Sequence, residues 1–371
     1  MVGQKDVAWH NPTAAGTPLL YTRVLYPSPV GGVDAPLEPR AGGWPTIVFL
    51  HGFGLMGRDY ATLASTWASQ GFAVVLVDSA MFDFFVEAAD GIAQFTAIQR
   101  ANEATGTFFH GAFDMERVGI AGHSMGGGAM ALVLASNPGY RCGFAIATVF
   151  PGQAPTAQVH VPLGCVVGTG DVVTPWYWHT HPYYNTAQPQ TGLKFLYLLD
   201  GTCDHMNVAG LAAPTSPALR RTLSLSLGFF RHFLGLDANA LENCIGPAAL
   251  AEPHLQDLTY QVAEPRLWAA GRLVPGRSVR ISLVAEAGPV GILAAPTSGW
   301  SIPTSIGTLQ LDPSAVFTWV VGVAQRDRRI DASLTVPNNP NLVGVTIALQ
   351  GVGATNALPI LLGSAAQFVV Q

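Results

Sequence analysis

Lysine is almost missing from this chain: Lys5 and Lys194 are the only two. Charged residues of every kind make up 11% of it, and the net charge is −5. With no basic stripe, there is no electrostatic footprint for a nucleic acid. No apolar run reaches the roughly 20 residues that a membrane-spanning helix needs. The N-terminus, Met1-Val2-Gly3-Gln4-Lys5-Asp6, lacks the apolar stretch of a signal peptide. The four cysteines, Cys142, Cys165, Cys203 and Cys244, show no C-x-x-C spacing, which argues against a zinc or redox site. An even count suits one or two disulfides, with three complete pairings open. A Cys203–Cys244 bridge would brace a loop that carries a candidate histidine.

Apolar residues are abundant instead, at 49% of 371, with 41 glycines and 27 prolines. That is enough for a large core, many turns and two domains. Residues 19–27 alternate enough to be an edge strand closed by Pro27. Thr46 to Leu50 and Phe72 to Val77 are continuous apolar runs, the mark of strands buried on both faces. Further strands are expected at 117–121, 144–149, 161–168 and 194–199. Helical stretches fall between them, at 59–70, 90–104, after the 117–121 strand up to a stop at Asn137-Pro138-Gly139, and at 222–234. Strands alternating with helices predict a doubly wound, mostly parallel α/β sheet over residues 1–245, with ligands at the carboxyl ends of its strands. Beyond residue 245 the period changes to two, as in Val279-Ile281-Leu283, Ile330-Ala332-Leu334-Val336 and Val345-Ile347-Leu349. Residues 246–371 read as an all-β, sandwich-like accessory domain.

The densest signal is Gly122-His123-Ser124-Met125-Gly126-Gly127-Gly128. A β-branched run leads in and a helical apolar run leads out. Strand, sharp turn and helix is the setting in which G-x-S-x-G forms the nucleophile elbow of an α/β-hydrolase fold. Ser124 is then the nucleophile, with a helix N-terminus behind it.

An activated serine needs a base, and the base needs an acid to orient it. In this fold the chain order is Ser, then Asp or Glu, then His. His10, His51, His110 and His123 fail on order, and His123 is expected to point away or pack locally. His160 lies at the wrong end of a strand, His232 in a helix and His254 at the domain junction. His179, His181 and His205 remain. His205 follows the strand at 194–199, at its carboxyl end, and is the best placed. Asp171 follows the preceding strand in the same way. Asp200 and Asp204 are rivals, but so close to His205 that they suit shaping its loop. His179 and His181 form an H-x-H pair, but no third ligand stands at a metal-site spacing. The oxyanion hole should take the backbone N–H of Met125 and one from the loop His51-Gly52-Phe53-Gly54, that of Phe53. Phe150, Trp176 and Tyr177 are further candidate walls of the site.

These residues resemble a known family, the bacterial cutinases and PET hydrolases of the polyesterase–lipase–cutinase group. The elbow Gly122–Gly128 looks like theirs. Asp171-Val172-Val173-Thr174-Pro175 matches their acid loop, His179-Thr180-His181-Pro182-Tyr183-Tyr184 their H-x-x-P-F-Y segment, and Leu199-Asp200-Gly201-Thr202-Cys203-Asp204-His205 their histidine loop. The resemblance implies Ser124, Asp171 and His205 as triad and Phe53 and Met125 as oxyanion hole. It also suggests Val173 and Phe150 as contacts for an aromatic substrate. One departure is local: the family usually has Ser-Pro before the Gly-aromatic pair, where this chain has Leu50-His51.

The leading reading is a secreted, monomeric serine ester hydrolase that acts on cutin- or PET-like polyesters without cofactor or metal. An esterase for small esters or lipids is the second reading. A binding protein on an inactive hydrolase scaffold is the third.

Overall fold

The computed structural model describes residues 1–371 other than 14, 79, 80, 138, 191, 192, 213, 325–328, 356, 357 and 359. The chain divides into two compact units. One comprises Met1–Cys244 with Ala251–Thr259, the other Ile245–Leu250 with Tyr260–Gln371.

The first unit is built on one sheet. Its strands are β1 (Val2–His10), β2 (Leu19–Pro27), β3 (Gly32–Val33), β4 (Trp44–Leu50), β5 (Ala73–Asp78), β6 (Phe113–His123), β7 (Gly143–Ile146), β8 (Leu163–Gly168), β9 (Lys194–Leu199) and β10 (Leu255–Gln261), which belongs to this unit as far as Thr259. They lie in the order β10-β9-β8-β7-β6-β4-β5-β2-β1-β3. From β9 to β5 every pairing is parallel. The sequence explains this centre. In β4, Ile47, Val48, Phe49 and Leu50 are wholly buried, and burying each side chain is worth about 2 kcal/mol. Around the sheet run α1 (Ala61–Ser69), α2 (Phe84–Glu103), α3 (Met125–Ser136), α4 (Gln153–Thr156), α5 (Thr180–Thr186) and α6 (Pro217–Phe233).

Several expectations need correction. Residues 19–27 form a strand, but not an edge: β2 lies between β5 and β1, antiparallel to both. The covering strand β1 carries the adjacent charges Lys5 and Asp6 at its middle and no long apolar run to announce it. Helix α2 begins at Phe84, six residues early, because the Asp83 carboxylate accepts from the N–H groups of Phe85 and Val86, both at 3.0 Å. Helix α6 likewise starts early, at Pro217, behind a Ser216 cap that accepts from the Leu219 N–H. Helix α3 ends with Asn137 as its C-cap. Pro138 of the expected stop lies outside the described residues.

The disulfides are also corrected. All four cysteines are free, buried thiols. Cys244 donates its S–H to the Leu225 carbonyl, at 3.2 Å, rather than meeting a second sulfur, and burial pushes all four thiol pKa values up.

In the second unit the described strands pair antiparallel, and an isolated parallel bridge joins Leu273 to Val370. Its strands are β11 (Arg266–Ala270), β12 (Ser278–Val284), β13 (Glu286–Ala295), β14 (Ser298–Thr304), β15 (Gly307–Leu311), β16 (Phe317–Ala324), β17 (Arg329–Thr335), β18 (Thr346–Ala354) and β19 (Leu361–Val369). They form sheets β11-β12-β17, β16-β13-β18-β19 and β14-β15. Ile281 and Leu283 of the first sheet share a core with Ile292 and Leu349 of the second. The period-two pattern reflects this: Val279, Ile281 and Leu283 point in, while Ser278 and Arg280 point out.

No helix among the described residues is long and apolar enough to cross a membrane.

Candidate active site

Strand β6 ends at His123 and helix α3 begins at Met125, so Ser124 alone makes the turn. Its backbone sits at φ 54°, ψ −117°, a conformation that costs a non-glycine residue about 1–3 kcal/mol. Its surroundings hold it there. The Ser124 N–H donates to the Ile146 carbonyl, and the Ser124 carbonyl accepts from the N–H groups of Val149 and Gly128, at 3.0 to 3.2 Å. The flanking glycines are needed for close approach. A methyl group on Gly122 would press on the Gly126 carbonyl, and one on Gly126 would press on the Leu50 carbonyl. Strand, helix and the end of β4 therefore meet backbone to backbone beneath the serine.

Asp171 leaves the carboxyl end of β8 and His205 that of the neighbouring β9. Their side chains meet: His205 Nδ1 lies 2.7 Å from Asp171 Oδ2. The other carboxylate oxygen accepts from the N–H groups of Val173, at 2.9 Å, and Thr174, at 2.8 Å. Thr174 Oγ1 stands 2.9 Å from both Asp171 Oδ2 and the Ala147 carbonyl, and 3.2 Å from His205 Nδ1. Burial alone would raise the Asp171 pKa, but the His205 ring and the Thr174 bonds outweigh it and hold the carboxyl below its ordinary value. Ser124, Asp171 and His205 are all less than 10% exposed.

The rival acids face elsewhere. Asp204 accepts from the N–H groups of Met206 and Asn207 and from the Asn207 amide. Asp200 accepts from the Thr202 N–H and stands 3.0 Å from His254 Nδ1. Both shape the loop around His205 without reaching its ring nitrogens.

The loop after β4 is pinned on both sides of Gly52. Its N–H donates to Tyr60 Oη at 2.9 Å. Its carbonyl accepts from His51 Nδ1–H at 3.0 Å and the Leu55 N–H at 3.1 Å. A fixed Gly52 carbonyl also fixes the Phe53 N–H, which shares its peptide plane. Met125 is the first residue of α3, where the N–H has no partner within the helix. Behind the loop lies Glu87 of α2, fully buried, with Oε1 3.6 Å from His51 Nδ1. Burial pushes the Glu87 pKa well up, against the opposing effect of the His51 backbone N–H.

The other expected site residues are placed as follows. Val173 is exposed beside Asp171, while Phe150 and Trp176 are half-buried. The Phe150 N–H donates to His179 Nδ1 at 3.2 Å, whereas the His181 ring packs edge-on with Trp176. The two histidines of the H-x-H pair thus have different neighbours. The exposed Phe53 ring meets Phe82 edge-on, with centroids 5.1 Å apart. Phe53, Phe82, Val172, Val173, Tyr177 and Trp178 are all more than half exposed. Phe53 and the Val172–Trp178 segment follow β4 and β8, two parallel strands, so both belong to loops at the same edge of the sheet.

One expectation is reversed. His123 neither points away nor packs only locally: it is buried, and its two ring nitrogens reach Tyr60 and the backbone of His205. Sequence reasoning also missed Tyr60 and Thr174. The only signal for Thr174 is its position three residues after Asp171, where a hydroxyl reaches back to the carboxylate.

The comparisons with known proteins fall on this region. A family model described as PETase, PET hydrolase-like, matches residues 30–215. A bis(hydroxyethyl) terephthalate hydrolase of Streptomyces coelicolor is 26% identical over 173 residues, covering 46% of this chain. The aligned stretch spans about half of that relative, 54% of its length. The family match covers half the chain and contains the elbow, the Asp171 and His205 loops and the loop after β4, and the chain belongs to the PET hydrolase-like family.

Proposed function

We propose that the protein is a serine ester hydrolase with polyesters as its substrates. The observation that carries this reading is the Asp171–His205 pair, at the carboxyl ends of the strands beyond a strained Ser124. In this reading Ser124 Oγ attacks the ester carbonyl while His205 Nε2 takes its proton. Asp171 accepts from Nδ1–H and stabilises the imidazolium as it forms. The carbonyl oxygen gains negative charge and is met by the N–H groups of Met125 and Phe53. The tetrahedral intermediate collapses, His205 returns the proton to the leaving alcohol, and an acyl-Ser124 remains. Water, deprotonated by the same histidine, then releases the acid.

Two features favour a polyester over a small soluble ester. The family is one, and the exposed apolar loops are the other. Phe53, Val173 and Trp176 offer an apolar, uncharged lining, to which Met125 and Phe150 would add. A repeating chain with aromatic or short aliphatic acyl groups suits such a surface, and it can lie across an open edge without being enclosed. Secretion follows from a polymeric substrate and is part of the proposal. The β unit contributes no catalytic residue in this reading.

Product analysis on amorphous PET, cutin and p-nitrophenyl esters of rising acyl length tests the reading. Soluble acids and hydroxy acids released from a polymer are expected, together with turnover of short esters. Activity confined to long-chain lipid esters would overturn the polyester substrate. Turnover of none would overturn the hydrolase.

A further inference from the structure

Tyr60 lies at the end of a 3-10 turn, Gly57–Tyr60, and its side chain is buried. Its hydroxyl accepts from the Gly52 N–H at 2.9 Å and stands 2.8 Å from His123 Nδ1. His123 Nε2 lies 3.0 Å from the carbonyl oxygen of His205. The rings of His123 and His205 are 4.6 Å apart at their centroids. One continuous line of hydrogen bonds thus joins the oxyanion loop, the residue before the nucleophile and the backbone of the base.

The direction of each bond follows from the partners at the two ends. A carbonyl can only accept, so His123 Nε2 must carry a proton and donate it to His205. In the neutral ring Nδ1 is then the acceptor, and the Tyr60 hydroxyl donates to it. The hydroxyl oxygen still has a lone pair for the Gly52 N–H. Every polar atom on the line is satisfied in one arrangement, with the Nε2–H tautomer at His123.

We propose that Tyr60 and His123 are positioning residues for ester hydrolysis at this site, forming a neutral brace that sets the oxyanion loop and the His205 loop against the nucleophile elbow. The brace rests on the reading under Proposed function. The bond to Gly52 fixes the approach to the Phe53 N–H, one of the two oxyanion donors. The bond to the His205 carbonyl fixes the backbone of the base, whose ring is already held by Asp171. Donors fixed in advance need no reorganisation when charge develops on the substrate, which is where such sites gain most.

Neutrality belongs to the device. During reaction His205 becomes a cation, and a second cation at 4.6 Å would oppose it. Burial first, and the charge of His205 second, push the His123 pKa down to about 3, against the opposing effects of the His205 carbonyl and Asp171. The other polar groups on its ring are the Tyr60 hydroxyl, itself held protonated by burial, and, one bond further, the Gly52 N–H.

The test compares steady-state kinetics on p-nitrophenyl acetate for the full chain and the variants Tyr60→Phe, His123→Leu and His123→Gln. Phenylalanine and leucine remove the line. Glutamine keeps a donor for the His205 carbonyl and an acceptor for Tyr60. Tyr60→Phe and His123→Leu should lose about tenfold to a hundredfold in kcat with KM within about twofold, the cost of a slightly misplaced constellation. His123→Gln should recover most of the loss. Wild-type kcat in both Tyr60→Phe and His123→Leu, with an active wild type, overturns the brace alone. So does a change carried wholly by KM, or a His123→Gln variant no better than leucine. A wild type that turns over no ester overturns the functional reading instead. Should the variants fail to fold, nitrogen-15 NMR of histidine-labelled wild type decides. The brace requires a neutral Nε2–H ring at His123 from about pH 5 to pH 8, and a charged ring or an Nδ1–H tautomer there contradicts it.

Discussion

The two units bury polarity very differently. Within the first, His51, Glu87, Asp90, Gln94, His123, Asp171, Lys194, His205 and Arg221 are all buried, with several hydroxyl residues besides. Among the described residues of the second, only Ser282 and Gln350 are buried polar side chains. Polar groups in a dry interior cost free energy unless every hydrogen-bonding atom is met. The β unit avoids that cost with an apolar core and uses its two exceptions as cross-links. Ser282 donates to Asp331, and the Gln350 amide group donates to the carbonyls of Thr308 and Gly363 while its oxygen accepts from the Gln310 N–H. In the first unit one group of these, His51, His123, Asp171 and His205, lies at or just after the carboxyl ends of its strands, as Ser124 does, while Lys194 opens β9 at its amino end. Under the proposed reading, polarity placed at those carboxyl ends positions groups for chemistry, and polarity in the β unit positions only the fold.

The sharpest way to break the comparison is to remove that polarity one group at a time. Ser124→Ala should lower ester turnover by about 10⁵- to 10⁶-fold, and Asp171→Asn by about 10⁴-fold, both with nearly unchanged melting temperatures. Turnover assays beside thermal melts check both. Near-normal activity in Asp171→Asn together with loss in Asp204→Ala would reassign the acid.

A second prediction separates the units themselves. Strand β10 lies beside β9, and the Asp200 N–H donates to the His254 carbonyl. A chain ended after residue 245 loses both contacts next to the His205 loop. It should melt lower and lose soluble-ester activity relative to one ended after Gln261. The longer chain should keep activity on p-nitrophenyl esters. Equal behaviour of the two would show that β10 does not support the His205 loop.

Gln350→Ala sharpens the comparison from the other side. It strands three backbone partners and should cost about 1–3 kcal/mol of stability with kcat unchanged on soluble esters. Thermal melts and kinetics on the full chain read both quantities.

The smallest effect concerns Glu87. Its pKa is raised in the folded protein, so the folded chain holds this proton more tightly than the unfolded one. Stability from this group is therefore greatest in acid, and it falls as pH rises above the ordinary value of 4.5. Glu87→Gln should raise the melting temperature at about pH 8 and leave it nearly unchanged at about pH 4. A stabilisation that does not grow with pH would show that the carboxyl is not held protonated.

How much of this was legible depends on whether the signal is local. The elbow could be read because glycine, serine and a strand-to-helix switch fall within a few residues. Asp171 and His205 could be read because each follows an apolar strand; chain order removed four histidines, and closeness in sequence to His205 set Asp200 and Asp204 aside. The Tyr60–His123 contact joins residues 63 positions apart and Nε2 of His123 reaches a carbonyl 82 positions away. Neither side chain has a neighbour in sequence that announces its partner. Strand β1 was hidden for a different reason: its exposed face carries charge, and the pairing with β2 that makes it a strand is a tertiary event. The β domain's inward residues were legible by their period of two, but their assignment to separate sheets was not, because alternation fixes a face and says nothing of the partner strand.

The central claim is that Ser124 is a nucleophile activated through His205 and Asp171. Intact-mass and peptide mass spectrometry after treatment with a fluorophosphonate tests it most directly, because the probe reacts by displacement of fluoride by an activated serine oxygen. The account predicts one adduct per chain, on Ser124, absent in Ser124→Ala and formed much more slowly in Asp171→Asn. No adduct on the folded wild type, or an adduct on another residue, would contradict it.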